Sequence, residues 1–126
     1  MSKLLVVDDE ANIRLLYSEE LTDEGYDVVT AGSIAEATEK LKLGSFDLAV
    51  LDIKLKNESG IELLQQLVKE RHEMPVILCS AFSCYKDDFS AWLADGYIVK
   101  SGDLTELKHE IARVLAKKAQ KVKTSM

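Results

Sequence analysis

Proline is nearly missing from this chain: Pro75 is the only one among 126 residues. Proline-rich linkers and polyproline segments are thereby excluded. Cysteine is almost as scarce. Cys79 and Cys84 have neither metal-ligand spacing nor the look of a disulfide framework. Both read as small hydrophobes in a reducing compartment, which points to the cytoplasm. Long apolar runs are absent too. The LLVV of residues 4–7 is typical, far below the roughly 20 residues of a membrane helix. MSKLL leads straight into that run without the shape of a secretory signal. Positive charge is in deficit, with a net charge of −6, which argues against direct nucleic-acid binding. The late lysines, Lys117, Lys118, Lys121 and Lys123, read as cations at a helix C-terminus. What the chain has is apolar material, 47% of its residues, enough for one globular core.

That material is patterned. Strand-length apolar runs occupy residues 4–7, 26–31, 46–52, 76–80 and 97–100. Between and after them the apolar period becomes helical. A first helix carries Ile13, Leu16, Tyr17 and Leu21 inward and ends at Gly25. A second opens on the capping box SIAE, residues 33–36, buries Ile34, Ala37 and Leu41, and closes at Gly44. A third starts at SGIE, residues 59–62, with Ile61, Leu64, Leu67 and Val68 inward. Tyr85, Phe89, Trp92 and Leu93 suggest a fourth, stopping near Gly96. Asp103 caps the fifth, whose inner face is Leu104, Leu107, Ile111, Val114 and Leu115. Five βα units in succession imply a parallel sheet covered by helices on both faces, a three-layer αβα sandwich. Residues 1–120 read as one domain and residues 121–126 as a short tail.

In a parallel sheet every strand ends at the same edge, and ligands bind there where the winding reverses. The first strand ends in Asp8 and Asp9, the third in Asp52, the fourth in Ser80 and the fifth in Lys100. The second ends in Thr30, Ala31 and Gly32 and offers nothing comparable. Placing it outside the first strand, in the order 2-1-3-4-5, makes the other four ends neighbours. Each residue has an ordinary explanation alone, as a cap, a turn residue or a solvated lysine. Together they form a crevice of three acids, one hydroxyl and one ammonium. Unit charges about 4 Å apart interact by about 4 kcal/mol at a surface-like dielectric, so the acids call for a small hard cation. Mg²⁺ accepts one or two carboxylates and keeps water and phosphate oxygens for its other positions. Such a site suits a phosphoryl group, with Asp8 and Asp9 as metal ligands and Asp52 as the carboxylate that accepts phosphorus.

The stretches LLVVDDE, DLAVLDIKLKNESGIELL, MPVILCSAF and GYIVKS resemble the receiver (response-regulatory) domain of two-component signalling, of the CheY-like, flavodoxin-like kind. The resemblance covers about residues 3 to 118. It implies Asp52 as phosphoacceptor and Asp9 as a direct Mg²⁺ ligand, with Asp8 holding the metal through water. It implies the Lys54 main-chain carbonyl as a further ligand, Ser80 as the hydroxyl on the phosphoryl group, Ala81 as the small residue beside it, Tyr97 as the switch aromatic and Lys100 as the site lysine. The implied partners are a histidine kinase or histidine phosphotransfer protein as donor and an effector reading the surface of the fourth helix, fifth strand and fifth helix. A homodimer is allowed, and neither nucleic acid nor membrane is implied. The domain would be a signalling module rather than an enzyme, though with self-phosphorylation and autodephosphorylation chemistry of its own.

Two positions depart from that pattern. Ser101 stands where proline usually follows the lysine, and Lys56 replaces a proline frequent after the acceptor. A cis bond to a non-proline costs about 2.5–4 kcal/mol, which leaves the isomer of the Lys100–Ser101 bond open. The loop from Lys54 to Ser59 is expected to be more mobile and more polar than usual. Other readings of the site are a Mg²⁺-dependent aspartyl-phosphate phosphatase, a flavin module and a receiver-like scaffold that takes no phosphate. A phosphatase resembling the haloacid dehalogenase family would carry D-x-D after the first strand, unlike DDE. A flavin module would need a phosphate-cradling loop there, which the acids would repel. His72 and His109 fall on predicted helices away from the edge and read as solvated.

Overall fold

The computed structural model describes residues 2–55, 58–70, 74–80, 94–100 and 103–124. In chain order the elements are β1 (Lys3–Val7), α1 (Ala11–Asp23), β2 (Asp27–Ala31), α2 (Ile34–Leu43), β3 (Leu48–Asp52), β4 (Lys54–Leu55), β5 (Glu58–Ser59), α3 (Gly60–Glu70), β6 (Val76–Ser80), β7 (Gly96–Val99) and α4 (Thr105–Thr124). Five strands form one sheet in the order β2-β1-β3-β6-β7, and every pairing in it is parallel. With the two-residue strands set aside, this is the expected 2-1-3-4-5. The fourth predicted helix, with Ala81, Cys84 and Trp92, lies outside the described residues, as do His72 and Lys56.

Burial on both faces explains the unbroken apolar runs of the central strands. Every residue of β3 and β6 is buried, whereas β2, at the sheet margin, is fully buried only at Ala31. Alternation divides the core in two. Leu5, Val7, Ala49, Leu51 and Leu78 face α2 and α3, meeting Ala37, Leu41, Leu63, Leu64 and Leu67. Leu4, Val6, Leu48, Val50, Ile77 and Cys79 face α1 and α4, meeting Tyr17, Leu21, Leu107, Ile111 and Val114. The inner face read for the last helix is the buried one, with Leu115 at its margin.

The local signals work with small differences. Ser33 Oγ accepts from the Glu36 N–H at 3.1 Å, and the Glu36 carboxylate answers on the Gly32 N–H rather than on Ser33. Ser59 Oγ accepts from the Ile61 N–H at 3.2 Å at the start of α3. Asp103 Oδ1 accepts from both the N–H and the hydroxyl of Thr105. Gly25, at φ 95°, turns the chain out of α1 in a conformation glycine favours. Gly44 ends α2 differently: it is extended, not left-handed.

Leu16 is not an inward residue. It is 36% exposed, because α1 buries a narrow stripe at Tyr17 and Leu21, with Ile13 beside it. The loop after β3 is not simply polar either. Lys54–Leu55 pairs antiparallel with Glu58–Ser59, and Leu55 is anchored in the core at 3% exposure. The last helix continues to Thr124.

Candidate metal and phosphoryl site

The site lies at the edge where the parallel strands end. β1 delivers Asp8, whose N–H donates to the Ala31 carbonyl at 3.0 Å and so continues the β1–β2 ladder. β3 delivers Asp52 as its last residue, in register with Cys79 of β6. β7 delivers Lys100, whose N–H donates to the Ser80 carbonyl at 2.7 Å. The sheet therefore aligns groups that are far apart in sequence.

Lys100 Nζ donates to Asp8 Oδ2 at 2.6 Å and to Asp52 Oδ2 at 3.1 Å. Both acids are buried, at 2% and 6% exposure. Burial alone pulls the Lys100 ammonium down, but its hydrogen bonds and charge interactions with Asp8 and Asp52 outweigh that and hold it above the ordinary lysine value. Asp9, partly buried, completes the cluster: one carboxylate oxygen each from Asp8, Asp9 and Asp52 lie within 4.8 Å of one another. One ammonium thus bonds two of three clustered carboxylates. A hard oxygen-ligand set with surplus negative charge fits a small divalent cation.

Asp8 is held by its surroundings. Its Oδ1 accepts from the Glu10 N–H at 2.9 Å, and its carbonyl accepts from Arg14 Nη1 at 2.7 Å. Asp52 is constrained from behind. Gly60 N–H donates to the Ile53 carbonyl at 2.7 Å, and a Cβ on Gly60 would press into the Asp52 backbone, 2.8 Å from its carbonyl carbon. Any side chain there would displace the end of β3. Sequence reading treats Gly60 only as part of a capping stretch. A poor helix former at the first helical position is the signal it left.

Under the acids lies a second layer. Tyr17 and Cys79 belong to the same core cluster there. Burial raises the Tyr17 phenol, and the nearby Cys79, Asp8 and Asp52 charges raise it further. Burial pushes the Cys79 thiol up to about 12. Cys79 is free and buried, as expected of a small hydrophobe.

The remaining predicted residues are distributed around this centre. Ser80 is buried and ends β6, opposite Val99 of β7. Tyr97 is half-buried opposite Leu78 and packs against the core under α2 and α3. Strand alternation puts Ser80 and Tyr97 on that face, and Asp52 with Leu48 and Val50 on the other. Neither Ser80 nor Tyr97 is therefore among the acids; Ser80 stands at the neighbouring strand end, where its hydroxyl would have to turn across the edge to meet a group on Asp52. Lys54 opens β4 opposite Ser59. Ala81 and the Lys100–Ser101 bond lie outside the described residues. The second strand's end supplies support rather than chemistry, through Ala31 and Gly32.

Among known proteins, the model of the response regulator receiver domain matches residues 4–112. The response regulator ArlR of Staphylococcus saprophyticus is 34% identical over 123 residues, 96% of this chain and 56% of that protein. The chain thus spans about half the length of the curated relatives it matches. The crystal structure of the response regulator TrrA from Thermotoga maritima in complex with Mg²⁺-BeF is 43% identical, with a TM-score of 0.86, covering 90% of this chain and 98% of that one. TrrA in complex with histidine kinase ThkA gives a TM-score of 0.85 at 43% identity, covering 91% and 99%. A CheY-like receiver domain protein from Methanospirillum hungatei gives 0.90 at 29% identity, covering 96% and 98%. No described helix is long and apolar enough to cross a membrane. With its sheet order, its acid-rich strand ends and this match over most of its length, the chain belongs to the response regulator receiver domain family.

Proposed function

We propose that this receiver takes a phosphoryl group onto the Asp52 carboxylate. The observation that carries the reading is the sharing of Lys100 between Asp8 and Asp52, with Asp9 close by. Asp8, Asp9 and Asp52 would hold Mg²⁺ together with the Lys54 carbonyl. The bond from Gly60 N–H to the Ile53 carbonyl makes the Lys54–Ser59 pair a non-bonded rung, so the Lys54 carbonyl turns away from Ser59 and is available. The ion's contribution is to neutralise phosphoryl oxygens.

The protein's own groups do the rest. An Asp52 oxygen forms the new bond to phosphorus, and the donor histidine nitrogen leaves with the old bond's electrons. Lys100, already bonded to Asp52, balances the incoming charge of about −1.5 to −2. Ser80, on the neighbouring strand end, donates its hydroxyl to a phosphoryl oxygen. Tyr97, on the same sheet face as Ser80, then moves into the space vacated. The surface around β7 and α4, with the segment between β6 and β7, changes for an effector to read. The donor is a histidine kinase or phosphotransfer protein, as the ThkA complex of TrrA suggests. The reaction is a single signalling event, with slow autodephosphorylation rather than turnover of a small substrate, and the setting is the cytoplasm.

The test is incubation with acetyl phosphate and Mg²⁺, followed by intact mass. Wild type gains one phosphoryl group, and Asp52→Asn gains none. Equal labelling of the two proteins rules the assignment out.

A further inference from the structure

Asp9 is the most exposed of the three acids, and among the described residues its carboxylate has no hydrogen-bond partner. The backbone of the turn around it helps set where it stands. The carbonyls on both sides of it are held by one residue. Arg14 donates its own N–H to the Glu10 carbonyl at 3.1 Å and its Nη1 to the Asp8 carbonyl at 2.7 Å. A helical side chain leans back toward the helix N-terminus, which carries the guanidinium from the first turn of α1 over the β1–α1 turn.

The same Nη1 that holds the Asp8 carbonyl lies beside Gly32. A Cβ there would stand 2.9 Å from Nη1 and 3.3 Å from Cζ of Arg14, so only glycine leaves room for that position. Gly32 is itself held, its N–H donating to Glu36 Oε1 at 2.5 Å. β2, the one strand of the sheet whose end carries no reactive group, thus provides a platform for the arginine.

We propose that Arg14 is a positioning residue for the metal site: by holding the two carbonyls that flank Asp9, with Gly32 beneath it, it presents Asp9 to the cation. The inference rests on the Mg²⁺ site proposed above. Groups that orient metal ligands typically cost 10–100-fold in affinity when removed.

The experiment is calorimetric titration with Mg²⁺ of wild type, Arg14→Ala, Arg14→Lys, Gly32→Ala and the Arg14→Ala/Gly32→Ala double variant, each verified as folded by circular dichroism at the titration temperature. Arg14→Ala is expected to bind about tenfold more weakly. Arg14→Lys, which restores a donor for the Asp8 carbonyl, recovers much of the loss. Gly32→Ala weakens binding while Arg14 is present and adds nothing once Arg14 is gone. If Arg14→Ala does not fold, Arg14→Lys and Gly32→Ala carry the test, both expected to bind more weakly than wild type. Wild-type affinity in the folded arginine variants overturns the role of Arg14 even if their thermal stability is reduced. A wild type that binds no Mg²⁺ overturns the metal site itself, and this inference with it.

Discussion

The two edges of the sheet handle charge in opposite ways. At the edge where the strands begin, Asp47 and Asp95 each have their own partners. Asp47 accepts from the Lys3 N–H at 2.8 Å and faces Lys118 at 3.9 Å, with its side chain 47% exposed. Asp95 accepts from the Val76 N–H at 2.9 Å, and its carbonyl accepts from Arg113. At the edge where the strands end, two buried acids share one lysine and a third stands by. The same residue types staple chain segments at one edge and build a binding site at the other. Supply of positive charge makes the difference. An acid satisfied by backbone N–H groups and an exposed cation asks for nothing more, whereas surplus buried carboxylate asks for a ligand.

Glycine substitution should break this contrast most strongly. Gly60→Ala forces its Cβ against the Asp52 backbone and should cost about 3 kcal/mol or more, read by denaturant unfolding. Gly96→Ala, at the other edge, meets only the Glu110 side chain, nearest at 3.0 Å, which can swing away; its cost should stay within about 1 kcal/mol. Equal losses would mean that the edge where the strands end is no more rigid than its opposite.

Metal linkage comes next. Mg²⁺ at a hundredfold excess over its dissociation constant should add about 2.7 kcal/mol of stability to wild type and to Asp47→Asn. Asp9→Asn should gain much less. A thermal-unfolding series with and without the ion checks this, and an equal gain in Asp9→Asn would remove Asp9 from the site.

Alkaline pH probes the layer beneath the acids. The Cys79 thiol rises from 9.0 to about 12, so above pH 9 the unfolded chain releases this proton first. Stability must then fall as pH climbs from 9 toward 12, by at most about 1.4 kcal/mol per pH unit for one group. Lys100 acts in the same direction, its contribution complete below the ordinary lysine value and lost as pH rises above it. Cys79→Ala should make the decline shallower, as measured by urea midpoints against pH; an unchanged slope would mean that the thiol is not protected by burial.

The smallest effects should differ in sign. Without metal, Asp9→Asn removes like-charge repulsion and should stabilise by about 1 kcal/mol. Asp47→Asn loses partners and should destabilise by about 0.5–1 kcal/mol. Matching signs would dissolve the comparison.

Much of this was legible in the chain. Strand runs, caps at Ser33 and Asp103, and the sorting of Asp8, Asp9, Asp52, Ser80 and Lys100 to one edge follow from period and strand direction, which are local properties. Leu16 was misjudged because helical period locates a stripe but not its width. The β4–β5 pairing went unseen because a ribbon of two-residue strands has no period to detect.

What the sequence determined alone was the order of elements and the inventory of charge at their ends, since hydrophobic period and cap chemistry act over a few residues. Tertiary structure decided which acids Lys100 would bind, why residue 60 must be glycine, and that Arg14 would span the flanks of Asp9. Those facts depend on atoms from separate strands and helices coming within about 3 Å, the range of a hydrogen bond. Distances of that kind exist only once the core has closed.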